Sequence, residues 1–299
     1  MSKINKHRHN PGWIVLVILL ALADFALLLR YLLKGKNVAL FSPKGLIAQE
    51  QHNVMIFTVV VLLLIAIPTL IILFLIAWKY RESNTKVVHA PNVQHGKYFV
   101  IKLWLLPTAI ILMLSSVMWS STHRLEPQKM IAADAKPIRI QVISMRWKWL
   151  FIYPDQNIAT VNFVQVPVNT PVQFELTADD APMSSFWIPN LGGQLYSMTG
   201  HVNRLNLIAE TPGDYPGSSA EINGAGFAGM KFTTRASSQE DFNRWVLDVR
   251  LKPDVLDASM YESLVKPSEN NPVAFYSSFD SSLYDKAIAK YTGSGDHAH

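Results

Sequence analysis

The sequence predicts a transmembrane helical hairpin, with an extra N-terminal helix ahead of it, running into an all-β sandwich that ends in short helices. Three observations carry this expectation: long, sparsely charged apolar runs up to Trp119, short alternating stretches from Lys136 onward, and a return to helical periodicity after Thr234. The expected segments are 1–35 for the first helix, 36–122 for the hairpin, 123–236 for the β domain and 237–299 for the helical extension and tail. Only 16% of the 299 residues are charged, which fits a chain that lies partly in lipid. There is no cysteine, so disulfides, thiolate metal sites, cysteine nucleophiles and lipidation through cysteine are excluded together. The net charge of +5 collects beside apolar runs and forms no patch interleaved with aromatics, so no nucleic-acid partner is expected.

A helix needs about 20 apolar residues to cross about 30 Å of hydrocarbon. Trp13 to Leu33, Val54 to Trp78 and Val100 to Trp119 qualify. Pro68 in the second run predicts a kink, and Trp78, Trp104 and Trp119 fall towards run ends, where indole favours the interface. The first run also has the charge pattern of a signal peptide. Its length, and Leu32-Leu33-Lys34-Gly35-Lys36 at its end, favour an uncleaved helix. Asp24 inside it costs about 2.5–3.5 kcal/mol on insertion scales, so it is expected to face protein or water. Lys3, Lys6 and Arg8 before the first run, and Lys79, Arg81, Lys86 and Lys97 between the second and third, place those segments in the cytoplasm and everything after Trp119 outside. Lys34, Lys36 and Lys44 in the other loop weaken that bias without reversing it.

In the external domain Ile138, Ile140 and Val142 alternate on one face. Trp147 to Tyr153, Val161 to Val166, Pro171 to Leu176, Phe186 to Ile188, Leu205 to Ile208 and Met230 to Thr233 supply further strands of a small antiparallel sandwich. Ser237 and Glu240 then form a capping box, and Phe242, Trp245, Val246 and Val249 follow at helical spacing. A second short helix carries Met260, Tyr261, Leu264 and Val265, and a third follows Ser282. His297 and His299 have i, i+2 spacing for a metal, but a polar tail is the simpler reading.

Ser144-Met145-Arg146-Trp147-Lys148-Trp149 and Ser185-Phe186-Trp187-Ile188-Pro189-Asn190-Leu191-Gly192-Gly193, set behind two closely spaced apolar runs, resemble subunit II of the haem-copper respiratory oxidases. The likeness continues through Met198 to Arg204 and Gly217 to Met230 and covers nearly the whole chain after Ala39. It implies a cupredoxin-like sandwich. In the branch that oxidises cytochrome c, this domain holds a dinuclear copper A centre, with a histidine before Ser-Phe-Trp and then the pattern C-x-E-x-C-x-x-x-H-x-x-M. Those positions are here Ser184, Ser219, Glu221, Asn223, Phe227 and Met230. Neither hydroxyl nor amide replaces a bridging thiolate, and phenylalanine cannot coordinate. The resemblance therefore narrows to the cytochrome bo-type quinol oxidases, whose subunit II has lost copper A, and Asn37 to Gly45 and Val273 to Phe279 look like that branch too.

What the resemblance implies is a structural subunit of a proton-pumping quinol:oxygen oxidoreductase in a bacterial inner membrane, its external domain in the periplasm. This chain is expected to hold no redox centre, with haem and copper in the catalytic subunit I. Its expected partners are that subunit, other small membrane subunits and lipid, with quinol bound by the complex. Many members carry an acylated cysteine where this chain has Lys36, and a carboxylate at one proton entrance aligns with Val100, near Lys102, so neither feature carries over. Trp147 and Trp149 read as packing residues more readily than as an electron-entry platform, because no copper lies behind them; Pro68 and Trp104 are further packing candidates. A stand-alone, membrane-tethered cupredoxin-like copper carrier is the alternative, resting on Met183, Met198, His201 and Met230. No constellation for a hydrolase is visible.

Overall fold

The structure is a computed structural model that describes residues 38–82, 84–85, 96–133 and 135–292, with isolated positions between 20 and 31. Most of the first apolar run, the basic residues before it, Lys34, Lys36, Lys86 and the His297/His299 tail lie outside the described residues; Asp24 is described, helical and exposed. The chain forms two units, Met1–Ser42 and Pro43–His299, and the second contains both the hairpin and the sandwich.

Among the described residues, two helices are long and apolar enough to span a membrane: α1 (Leu46–Lys79) and α2 (Lys97–Arg124). Each contains a Pro-Thr pair, and the threonine hydroxyl returns to the carbonyl four residues earlier: Thr69 to Ile65 at 2.8 Å and Thr108 to Trp104 at 2.9 Å. Helix α1 starts two turns before the apolar run at Val54, and at about 1.5 Å per residue it outreaches the hydrocarbon core. That surplus is anchored to the sandwich. Asn190 O accepts from Lys44 N at 2.8 Å, Leu191 O from Ala48 N at 3.1 Å, and Lys44 O from Glu210 N at 2.9 Å. Gly45 bridges to Ala209, and a Cβ on it would stand 2.4 Å from the Ile208 carbonyl, so only glycine permits this approach. At the exit of α2, Pro127 O accepts from both Asn206 N (3.0 Å) and Asn206 Nδ2 (3.1 Å).

The cupredoxin-like sandwich has eleven strands: β1 (Ile138–Met145), β2 (Lys148–Tyr153), β3 (Ile158–Val161), β4 (Phe163–Pro167), β5 (Val172–Ala178), β6 (Ser184–Trp187), β7 (Leu195–Ser197), β8 (Asn203–Leu207), β9 (Gly213–Ser219), β10 (Lys231–Ser237) and β11 (Ala274–Tyr276). One sheet runs β11-β3-β2-β1-β5-β8 and the other β4-β10-β9-β6-β7. The pairings β1–β5 and β4–β10 are parallel, so the sheets are mixed and not purely antiparallel. The expected strand Val161 to Val166 is two strands that change sheet at Asn162, which sits at φ 55°. Asn162 stabilises this corner by accepting from Trp149 N at 2.9 Å and donating Nδ2 to Asn271 O at 2.9 Å. Trp147 lies in the β1–β2 turn and not in the strand.

Between the sheets, Trp149, Phe151, Phe174, Phe186 and Phe232 form an aromatic centre. Phe186 and Phe232 stack with centroids 5.0 Å apart, and Trp149 meets Phe186 edge-on at 5.3 Å. Gly217 is required there, since a Cβ would stand 2.2 Å from the Phe232 ring. The opposite face of β1 and β2 is also apolar, through Ile143, Met145, Leu150 and Ile152, and the C-terminal segment covers it. Three helices form that segment and its approach: α3 (Gln239–Arg250), α4 (Ala258–Val265) and α5 (Leu283–Thr292). Phe242, Val246 and Val249 of α3 join the core between the sheets, whereas Tyr261, Leu283, Tyr284 and Ala287 cover the outer face. Ser238 caps α3 by accepting from Asp241 N at 3.1 Å. The N-cap thus lies one residue after the expected Ser237, because Ser237 still pairs in β10 with Pro167.

Two buried charges fasten the cover. Lys148 Nζ donates to the carbonyls of Leu264 (2.7 Å) and Lys266 (2.9 Å) and to Ser268 Oγ, so an ammonium meets the C-terminal end of α4. Burial holds that ammonium below the usual lysine range. Asp179, almost wholly buried, accepts from Tyr261 Oη (2.7 Å), Lys290 Nζ (2.8 Å) and Tyr291 Oη (2.9 Å). The hydrogen bond to Asp179 raises Lys290, and burial followed by the same carboxylate pushes the Tyr261 phenol well above its usual range.

Both shifts are upward, so their stabilisation is complete below about pH 10 and is lost as pH rises beyond the unfolded values of about 10 and 10.4. The C-terminal helices are expected to stay docked at neutral pH and to loosen in alkali, read as near-ultraviolet dichroism and as proteolytic clipping after Arg250. Asp179→Ala should cost about 1–3 kcal/mol by orphaning Tyr261 and should bring the clipping to neutral pH. Unchanged resistance of that variant would show that apolar contacts alone hold the cover.

Candidate functional site

The six positions that match the copper A pattern gather around the end of β6 and the loop from Ala220 to Gly229. Antiparallel pairing of β6 with β9 sets Phe186 opposite Ser219, and Ala220 N donates to Ser185 O at 2.9 Å, so the loop leaves the sheet beside Ser184. A short 3₁₀ turn, Phe227–Gly229, returns it, and Met230 N donates to Phe227 O at 3.0 Å. Ser184 and Met230 are fully buried, and Ser219 and Asn223 nearly so. Glu221 and Phe227 are half-buried.

The Asn223 side chain lies at the middle of this group. Its Nδ2 donates to Ser184 Oγ at 2.7 Å and to Met230 Sδ at 3.1 Å. Ser219 Oγ donates to Glu221 O at 2.9 Å, and Ser184 Oγ donates to Pro182 O at 3.2 Å. The loop is closed over by Trp147, held at φ 64°, a costly conformation for a bulky residue. Its ring lies against the loop: a Cβ on Gly226 would stand 2.4 Å from the indole, and one on Gly224, at φ 119°, would stand 3.3 Å from it. Trp149, two residues on, is fully buried in the aromatic centre.

These residues do not fit a dinuclear copper centre. Where the pattern needs two thiolates and two imidazoles there are two serines, an asparagine and a phenylalanine. The thioether that remains already accepts an N–H, and Glu221 O already accepts a hydroxyl. Among the described residues no group of three or more His, Asp or Glu is placed to hold a metal ion. Met183 and His201 are exposed while Met230 is buried. The expected packing residues separate: Trp149 is interior to the domain, Trp147 half-buried at the loop, and Pro68 and Trp104 exposed on the helices. Val100 is exposed in the first turn of α2. Sequence reasoning missed Asp179 and Lys148; the only signal was a charge within or beside an apolar strand, and their partners lie 82 to 120 residues away.

Substituting the four missing ligands together, as Ser184→His, Ser219→Cys, Asn223→Cys and Phe227→His, is expected to give copper-dependent thiolate absorption and a mixed-valence spin-resonance signal that the parent chain lacks after the same copper treatment. Either signal from the parent chain would overturn the donor-set reading. Asn223→Ala, which leaves Ser184 and Met230 without their shared donor, should destabilise the domain by about 1–3 kcal/mol.

The periplasmic-domain family of cytochrome c oxidase subunit II matches residues 153–237, and the cytochrome oxidase aromatic-rich motif matches residues 250–295, the segment that covers the sheet. The chain is 46% identical over 262 residues to cytochrome bo(3) ubiquinol oxidase subunit 2 of Pseudomonas putida, covering 88% of this chain and 83% of that one. It is 42% identical to the subunit of the same name from Pseudomonas aeruginosa, covering 89% of this chain and 80% of the relative. Ubiquinol oxidase subunit 2 of Acetobacter aceti is 40% identical, with 87% and 85% covered. With its cupredoxin-like sandwich, its copper A pattern replaced and these relatives matched over at least 80% of each chain, the chain belongs to the ubiquinol oxidase subunit 2 family of haem-copper oxidase subunit II proteins.

Proposed function

We propose that this chain is a non-redox scaffold in a proton-pumping quinol:oxygen oxidoreductase of a bacterial inner membrane. The observation that carries this reading is the replaced ligand set within a retained frame: Asn223 ties together positions that the copper-bearing branch joins through metal. An electron arriving here has no acceptor in this chain. Quinol dissolved in the bilayer therefore delivers electrons directly to a catalytic subunit, which holds the haems and copper. Helices α1 and α2 pack with that subunit and other small subunits in the membrane, and the sandwich stands on its outer, periplasmic face.

The chemistry asked of this chain is mechanical. The surplus turns of α1, tied to the Asn190–Leu191 turn, and the α2 exit, tied to Asn206, fix the sandwich above the membrane at two points. A domain tethered only through a flexible linker would not hold such a position.

Quinol-dependent oxygen uptake, normalised to haem in complexes from native membranes, tests this role. Trp149→Ala, which removes a fully buried ring, should cost about 3–5 kcal/mol and lower the amount of assembled complex while turnover per haem stays near normal. Ser219→Thr, Asn223→Asp and Phe227→Tyr should leave turnover per haem nearly unchanged. A large fall from these three with assembly intact would show that the domain takes part in the reaction. Recovery of the chain without haem or larger membrane subunits in mild detergent would instead favour the stand-alone copper carrier.

A further inference from the structure

We propose that Asn223 is a site of spontaneous deamidation, and that the two hydrogen bonds from its side-chain nitrogen are the latch that holds the reaction back. Asparagine is most open to this chemistry when glycine follows it, because no side chain then shields the attacking backbone nitrogen. Asn223-Gly224 is the one such pair in the 299 residues. Its glycine is set by the fold: at φ 119°, Gly224 adopts backbone that residues with a side chain rarely enter. Its asparagine is set by the site, where Nδ2 serves Ser184 Oγ and Met230 Sδ together. The two requirements place a labile pair at the centre of the loop.

The step is attack by Gly224 N on Asn223 Cγ. The bond from Cγ to Nδ2 breaks, the proton of Gly224 N passes through solvent to the leaving nitrogen, and ammonia departs from a five-membered succinimide. Water then opens the ring at either carbonyl and leaves a carboxylate, on an ordinary or an isoaspartyl backbone. No oxidant or cofactor takes part. Gly224 N donates to no acceptor in the structure, so the nucleophile itself is unprotected. Protection rests on the amide it attacks. Asn223 is 6% exposed, which keeps water from Cγ, and a side chain held at two points does not turn freely onto its own backbone. Its Oδ1 is buried without a partner, so closure depends on Nδ2 alone. Ile222, one residue earlier, is 77% exposed, so opening of this loop by itself brings Asn223 to water. The product does not restore the latch. An ionised carboxylate has no hydrogen for Met230 Sδ and is costly at a buried position, and the isoaspartyl form lengthens a backbone that Trp147 already confines at Gly226. Deamidation is therefore a one-way release of the loop.

The inference rests on the loop and not on the scaffold reading, and turnover per haem does not enter its test. Peptide mapping by mass spectrometry, after incubation in mildly alkaline buffer, measures conversion at Asn223 in the purified complex and in the same complex unfolded in guanidinium. In the unfolded chain Asn223 is expected to convert before any other asparagine. In the folded complex it should convert at least about fivefold more slowly, the closure that two ordinary hydrogen bonds provide. Ser184→Ala, which removes one acceptor, should raise the folded rate about two- to tenfold. Met230→Leu, which keeps the volume and removes the other acceptor, should act in the same direction and decides the point if the alanine variant does not assemble. Converted chains should gain chymotryptic cleavage after Phe227. Equal rates in folded and unfolded complex, which needs no variant to measure, would overturn the proposal. So would another asparagine converting first in the unfolded chain, an unchanged rate in either assembled variant, or converted chains that resist chymotrypsin as well as unconverted ones.

Discussion

Burial of the β1–β2 hairpin on both faces is the constraint on which the rest of the domain depends. A sandwich strand normally has one face in the core and one towards water. Here Trp149 and Phe151 point between the sheets while Leu150 and Ile152 point the other way, and all four are inaccessible to solvent. Each such side chain contributes about 1.5–3 kcal/mol only if its face is covered. The outer face is covered by residues that follow β10 in sequence, from Leu256 to Ala287. The C-terminal helices are consequently part of the fold, and the match of a separate aromatic-rich motif to 250–295 coincides with that cover.

Polar groups set where the cover lies, because apolar contact has little directional preference. Lys148 reaches the end of α4, Asp179 gathers Tyr261, Lys290 and Tyr291, and Asn162 reaches Asn271. Each pin sits at a strand end or sheet corner, where the ladder leaves a side chain free to reach outward. Lys148 has neutral acceptors only, so the α4 terminus supplies the compensating partial charge. The arrangement ties hairpin, corner and tail into one unit.

Much of this architecture was legible in the sequence, because hydropathy and periodicity report directly on burial. The spans, the core strands and the helix at Phe242–Val249 follow from that pattern alone. Strand β9 did not: Gly213-Asp214-Tyr215-Pro216-Gly217 has the composition of a turn, and only its register against β10 and the room needed by Phe232 explain it. The split at Asn162 was hidden for a related reason, since one asparagine at positive φ leaves the apolar alternation on either side intact. The identity of the site positions was legible through the family pattern, whereas the bonds of Asn223 were not, because they join residues that are distant in sequence.

The persistence of the loop from Ala220 to Gly229 follows from what surrounds it. A metal centre orders its loops through strong, directional bonds, and removing the ligands leaves buried positions that must be filled or satisfied. In this chain Phe227 supplies an apolar ring, Ser219 closes a local turn onto Glu221 O, and Asn223 spans Ser184 and Met230. Trp147 then bears down on Gly226, where any larger residue would collide with the indole. Each replacement is weaker than a metal–ligand bond, at about 0.5–1.5 kcal/mol for an ordinary hydrogen bond. They act within a framework that the aromatic centre and the C-terminal cover already hold rigid, so modest local interactions suffice. The loop thus keeps its place without a metal, held by Asn223, Ser219 and the packing of Trp147.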